Sequence, residues 1–569
     1  MVRRKPGSSF ICQPPYSLLS RLVKGWLEEL KQNNVKVRKI YFDGYLPPSK
    51  WEVRQERLLE QSQNIRILVA LDPFGTTKSH DDVFDSVKPG ITATHSTGRS
   101  TADKLPKPPF LVPAVIEALA ACQDWGPLIQ VVPGEADTFC ARDVRQNGGI
   151  VLTSDSDLLI QDLGSDGRVS FFWNIVYDRS SGVSALSTST FSFHAINDQL
   201  GIREVGGLPR VVFEQIKGRL GFEEAVEKAK NDTQILASLD YLTFMKEYEV
   251  DECIPADRRV LNAIVTLDPR VSEIVIQTLV MKETGSVPDA SSKPASRGPE
   301  ALSMFLPVMI ENRELRSCWT ASTSIRELAY GVLQSLSHHR SERIVEYRTL
   351  EPSNGHSGRQ LSIPGPVETI EGCTQLATTL KELRDRLPSP KTLWHAFAIM
   401  EDVKSSASDE RTSLSVTMLS QATSSSEDVY SYSWDVIHYT AQIQASYYSL
   451  RILKQILDAV IGLKQDLPDT FAELRESLIS LPTIAEWPTF ADMLGLLSDF
   501  ASNETLTIVT DILGILPIDL AQVAAEETKS KKKKKRKQKQ DTLRNTMRRN
   551  GKRSPSLNPF ALLSQASQE

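Results

Sequence analysis

No two cysteines in this chain form a CxxC pair. The six present, Cys12, Cys122, Cys140, Cys253, Cys318 and Cys373, are scattered over 569 residues. That spacing argues against a zinc site and fits a reducing cytosolic or nuclear compartment. Long apolar runs are missing too. The most apolar late stretch, Leu506–Ala525, is broken by Asp511, Pro517 and Asp519 and is too short and too charged to span a bilayer, so no membrane partner is expected. The basic start, Met1–Lys5, is not followed by an apolar segment, so no secretory signal is expected. Glycine-rich phosphate loops are absent: there is neither GxxxxGK followed by Ser or Thr, nor GxGxxG.

What is present is an ordinary globular composition, 40% hydrophobic and 24% charged. It excludes collagen-like and wholly disordered classes, and the length suits about three or four domains. The net charge of −5 hides an asymmetry. Thr528–Arg553 holds fourteen Lys and Arg against one acid, Asp541, so this tail carries +13 and the remainder −18. The run Lys531, Lys532, Lys533, Lys534, Lys535, Arg536 and Lys537 reads as a nuclear-import signal, a nucleic-acid tether or a solubilising stretch; nuclear import is the first expectation. So many like charges predict disorder over 526–569. The acidic body lacks the basic stripe of a duplex-binding protein.

The first part of the chain alternates helical and strand patterns. Leu18, Leu19, Leu22, Val23, Trp26, Leu27 and Leu30 predict a helix over Tyr16–Lys31. Val35–Asp43 reads as a strand. A helix over Leu111–Gln123, a strand at Leu128–Val132, a helix from Glu135 to the Gly148-Gly149 stop, a buried strand at Ile150–Leu152 and a last strand at Val169–Trp173 follow. This alternation predicts an α/β fold with a parallel sheet. Phe171-Phe172-Trp173 reads as buried strand, not as a base-stacking platform. Ser86–Pro109 and Lys282–Pro299 read as a flexible loop and a linker. Beyond about Asn231 the pattern is helical with few strand signals, as over Ile325–Leu336 and Ile437–Leu463. Ser405–Ser431 reads as a loose loop. The expected organisation is an α/β domain over 1–235, a mostly helical region over 236–525 that offers surface to protein partners, and the basic tail.

Five carboxylates fall at predicted strand ends or in the helical turn that follows. Asp43 lies in Tyr41-Phe42-Asp43-Gly44, Glu135 and Asp137 in Val132-Pro133-Gly134-Glu135-Ala136-Asp137, and Asp155 and Asp157 in Leu152-Thr153-Ser154-Asp155-Ser156-Asp157. The C-terminal edge of an open parallel sheet is where ligands bind. Taken singly, each acid also reads as a turn residue, a helix cap or a partner of the helix dipole. Together they would repel one another without a counter-charge. A hard divalent cation, Mg²⁺ or Mn²⁺, supplies one, and two such ions can hold the attacking and leaving oxygens of a phosphodiester.

Pro133-Gly134-Glu135-Ala136-Asp137 with Cys140-Ala141, and Leu152-Thr153-Ser154-Asp155-Ser156-Asp157-Leu158-Leu159, resemble the internal motifs of the XPG and flap-endonuclease superfamily. Tyr41-Phe42-Asp43-Gly44 resembles its Phe-Asp-Gly strand end. The Phe-Asp-Gly-Tyr-Leu-Pro opening and the lysine-rich C-terminus are most similar to the asteroid branch and its fungal XPG-domain proteins. The resemblance covers about Pro14–Lys230. It implies a PIN-like parallel sheet and a structure-specific nuclease acting on DNA or RNA. It also implies that Asp43, Glu135, Asp137, Asp155 and Asp157 are metal ligands, direct or through water, and that Lys50 and Arg57 are catalytic phosphate clamps. The alternative for Lys50 and Arg57 is a solvated basic helix face shared with Arg54. Three features depart from the family. The Met-Gly-Ile opening strand and its aspartate are absent, which suggests an N-terminally truncated gene model. Leu208–Leu220 lacks the family's late aspartate, and Gly201–Gly207 is only a faint echo of a helical hairpin. The body is acidic. These departures imply the rival reading, a catalytically degenerate nuclease fold that serves as a scaffold for nucleic acid or protein partners.

Overall fold

The computed structural model describes residues 13–47, 50–77, 107–178, 185–246, 257–280, 302–337, 340–348, 358–387, 389–424, 431–502, 504–526 and 529. The basic run Lys531–Lys537, the Lys282–Pro299 linker and all of Ser86–Pro109 except residues 107–109 lie outside the described residues.

Pro14 and Pro15 offer no backbone donor, and the first helix starts directly behind them. It is α1 (Tyr16–Gln32), with Leu18, Leu27 and Leu30 on its buried face. There follow β1 (Ile40–Asp43), α2 (Trp51–Leu71), the short β2 (Thr76–Thr77), α3 (Leu111–Ala120), β3 (Ile129–Val132), α4 (Ala136–Asn147), β4 (Gly149–Thr153), β5 (Gly167–Phe171), β6 (Ile175–Asp178) and β7 (Ala185–Thr188). Helices α5 (Phe193–Leu200), α6 (Gly207–Gly218), α7 (Phe222–Asn231), α8 (Leu239–Lys246), α9 (Arg258–Ile264) and α10 (Pro269–Val280) come next. Gly201–Gly207 is the turn between α5 and α6, and Asn197 on α5 accepts a bond from the Leu208 amide at 2.9 Å.

The fold is mixed α/β, but the expected continuous parallel sheet is corrected. Among the described residues, β1 pairs in parallel only with β3, and β4 in parallel only with β5. A side chain joins the two pairs where a ladder was expected. Arg38, just ahead of β1, donates to the Asn147 and Gly148 carbonyls at 3.3 and 3.0 Å and to Asp143 at 3.2 Å, on the last turns of α4 and at the glycine that leads into β4. Helix α4 packs against both pairs. It ends at Gly148, whose φ of +65° a side chain would strain, so the chain turns at once into β4. The strand expected over Val169–Trp173 stops at Phe171, and the chain continues as a 3-10 turn over Phe172–Asn174.

The second half holds β8 (Leu302–Phe305), α11 (Thr323–Leu333), β9 (Arg343–Tyr347), β10 (Arg359–Ser362), α12 (Pro366–Arg386), α13 (Pro390–Ser408), α14 (Leu414–Ser424), β11 (Ser431–Tyr432), α15 (Trp434–Leu463), α16 (Asp469–Ser477), α17 (Phe490–Ser502) and α18 (Thr505–Leu513). The few strand signals understate it, since β8, β9 and β10 form a three-stranded sheet. Most of the expected loose loop over Ser405–Ser431 is also corrected to helix. Asp402 accepts from Ser413 Oγ at 2.6 Å and the Ser415 amide at 2.7 Å, holding the start of α14, while Val416, Met418 and Leu419 are buried. The largest hydrophobic cluster draws Tyr16, Leu68, Phe110 and Ala114 from the first half together with residues from Ile264 to Val509. Inside this half, buried Glu346 accepts from Arg326 Nε at 2.6 Å, Arg348 Nη2 at 2.6 Å and the Tyr330 hydroxyl at 2.9 Å. Burial alone would raise the Glu346 carboxyl, but the two guanidiniums outweigh it and hold it at about 2. No helix among the described residues is long and apolar enough to cross a membrane.

Candidate carboxylate site

The parallel register of β1 and β3 places Asp43 beside Val132, so the chain leaves both strands at the same edge. Gly44 then passes so close to β3 that a Cβ would lie 2.2 Å from the Val132 carbonyl oxygen. Its amide donates to Gly134 at 3.2 Å. Asp43 reaches across and accepts from the Ala136 amide at 2.7 Å. It thereby satisfies one of the unpaired donors at the N-terminus of α4. Glu135 occupies the N-cap position of that helix without a side-chain cap bond, and Asp137 sits in its first turn. Beyond β4, the Asp155 amide donates to Thr153 Oγ1 at 3.0 Å, and Asp155 Oδ1 accepts from the Asp157 amide at 3.1 Å. These local bonds fold the strand end into a tight turn that keeps both acids at the sheet edge.

Electrostatics shows that the three segments converge. The Asp137 carboxyl is pushed up to about 6, first by burial and then by Asp155, Asp43, Glu135 and Asp157 in that order. Asp157 is raised by burial and by Asp155, while Lys50 pulls it back down. Lys50 Nζ stands 3.9 Å from Glu135, and so lies at the rim of the cluster. Arg57 is not tied to the cluster. It is exposed on α2, seven residues beyond Lys50, and makes no ion pair among the described residues. Arg54, its neighbour on the helix, pairs with Glu273 and covers the Phe305 ring at 3.9 Å. Cys140, next to the motif, has its thiol pushed up to about 12 by burial and then by Asp137, so it stays protonated.

The donor set is all hard carboxylate oxygen, which suits Mg²⁺ or Mn²⁺. Among the described residues, however, no three Asp, Glu, His or Cys side chains are grouped tightly enough to hold one ion together. The cluster thus offers hard oxygen donors without a formed three-ligand cage among the described residues.

Residues 107–361 match the family model for XPG domain-containing proteins. The match supports the XPG superfamily and a nuclease-like function. The XPG-matched stretch contains Glu135, Asp137, Asp155 and Asp157; Asp43, Lys50 and Arg57 precede it. No curated protein and no solved structure matches the chain.

Sequence reasoning missed Arg38, whose role depends on a carbonyl pair 109 and 110 residues away. It also misjudged Phe172 and Trp173, which are 43% and 48% exposed where a buried strand was expected. The strand ends at Phe171, so the alternation that buries every second residue no longer applies to them.

Proposed function

We propose that this chain hydrolyses phosphodiester bonds in DNA or RNA at the carboxylate cluster around Asp137, with Mg²⁺ or Mn²⁺. The observation that carries this reading is the geometry at the shared edge of β1 and β3, where Asp43 binds the start of the helix bearing Glu135 and Asp137 and Lys50 stands 3.9 Å from Glu135. A divalent ion bound there would neutralise the substrate phosphate and acidify a water. Asp137 and Asp155 supply hard oxygen ligands. Asp43 fixes the N-terminus of α4 and with it the positions of Glu135 and Asp137. Lys50 offers charge to a phosphate oxygen in the transition state. We place the protein in the asteroid branch, with its basic tail serving nuclear import and tethering to nucleic acid.

A second reading, a nuclease fold retained as a scaffold, is favoured by the absence of a tight three-ligand group among the described residues. Calorimetry with Mn²⁺, run beside cleavage of flap and single-stranded substrates, separates the two. Saturable Mn²⁺ binding and cleavage, both lost in Asp137→Asn and Asp155→Asn, support the enzyme. Cleavage that survives both substitutions overturns the site, and neither heat nor cleavage leaves the scaffold.

A further inference from the structure

The proposed site leaves one surface feature unused, an aromatic stack at the C-terminal end of β5. The Phe191 and Phe171 rings meet at 5.5 Å, and Phe171 stacks on Trp173 at 4.6 Å with 5° between the planes. Phe171 is buried and covers one face of the Trp173 indole; the exposed remainder of the ring meets solvent. Leaving so large an apolar ring in water forfeits hydrophobic stabilisation that a polar turn residue would not forfeit.

The stack also lies beside the carboxylates. Register pairs Phe171 with Thr153 across β5 and β4. Trp173 and Asp155 each lie two residues beyond that pair, in the turns that leave the C-terminal ends of β5 and β4, strands about 4.8 Å apart. Val169 and Phe171 pack with Ala141 and Val144 of α4. Stacked on the Phe171 ring, the indole sits on the side of β5 that packs against α4, the helix whose first turn carries Asp137.

We infer that Trp173 is a stacking platform for an unpaired base of a single-stranded nucleic acid whose backbone crosses the carboxylate cluster. The inference rests on the nuclease-type reading and narrows its substrate class. A base inside a duplex already has both faces covered by its neighbours, whereas an unstacked base presents a free planar face to an aromatic ring.

The test is a fluorescence-anisotropy titration of the full chain with a labelled oligo-dT strand and with a hairpin duplex of equal length. Ca²⁺ replaces Mg²⁺ to hold the substrate intact, and the salt is high enough to weaken phosphate contacts from the tail while stacking persists. Trp173→Ala is expected to weaken binding of the strand roughly tenfold and to change duplex affinity by less than about twofold. Trp173→Phe should restore most of the loss. Equal affinity of wild type and Trp173→Ala overturns the inference. An equal loss on strand and duplex, or no binding of the strand by the wild type, also overturns it. Hydrolysis is judged separately. A wild type that binds the strand through Trp173 yet never cleaves it sinks the enzyme and spares the platform. Cleavage with the affinity and KM of Trp173→Ala unchanged does the reverse.

Discussion

Replacing Asp137 by Asn should make the metal-free protein more stable at neutral pH, although it removes a residue central to the site. Asp137 is half-buried and faces four other carboxylates, and its carboxyl is raised from an ordinary 3.8 to about 6. If the whole displacement counted, ionising it would cost the folded chain about 3 kcal/mol more than the unfolded one. Solvent screening at this half-open edge reduces that to about 1–2 kcal/mol. Asn also gives up the attraction of a carboxylate for the N-terminus of α4, about 0.3–1 kcal/mol, so a net gain of about 1 kcal/mol is expected. The sign follows from linkage: the folded state binds the proton more tightly, so the penalty is absent below about pH 4. It grows as pH rises toward 6 and is complete above it. Paired denaturant titrations of wild type and Asp137→Asn from pH 4 to 8 in EDTA measure this difference directly. Pairing removes the acid-side losses that the buried His395 and His438 impose on both proteins. Mn²⁺ should close the gap by stabilising the wild type alone. Equal stabilities at pH 7.5, or a gap that widens below pH 4, would refute the claim that these acids share one site.

Other outcomes follow from the same geometry. Gly44→Ala would drive a Cβ into the Val132 carbonyl and Ser272 Oγ; it should cost about 1–3 kcal/mol and displace Asp43, so metal-dependent cleavage should fall more than Tm does. Arg326→Met leaves the buried Glu346 carboxylate with a single guanidinium and should destabilise the fold by about 3 kcal/mol, measured by urea titration; a cost below about 1 kcal/mol would show that Arg348 alone satisfies it. Burial pushes His438 down to about 4, and its Nδ1 accepts from the Asn312 amide at 3.1 Å. Because the unfolded chain takes up the proton first, stability should fall as pH drops from about 6.5 toward 4, by up to about 3 kcal/mol. His438→Gln should roughly halve the slope of that segment of the pH profile, the remainder belonging to His395, which burial pushes down to about 3.

The sequence by itself determined where the acids stand along the chain and what local structure surrounds them. Apolar periodicity placed α1, β1, β3 and β4, and the glycines after α4 marked its end, because these features depend on neighbours within a few residues. The residue types at Asp43, Glu135, Asp137, Asp155 and Asp157 set the chemistry proposed for them, hard oxygen donors for a divalent cation. Tertiary structure alone decided the rest. Whether five like charges meet depends on how β1, β3 and β4 are placed by α4 and Arg38, through contacts spanning about a hundred residues that leave no periodic trace. The same is true of the two separate parallel pairs, of the burial of Glu346 between two arginines, and of the Trp173 ring left open at the sheet edge. Local patterns record which face of a segment is apolar, but only the packed chain sets what that face meets.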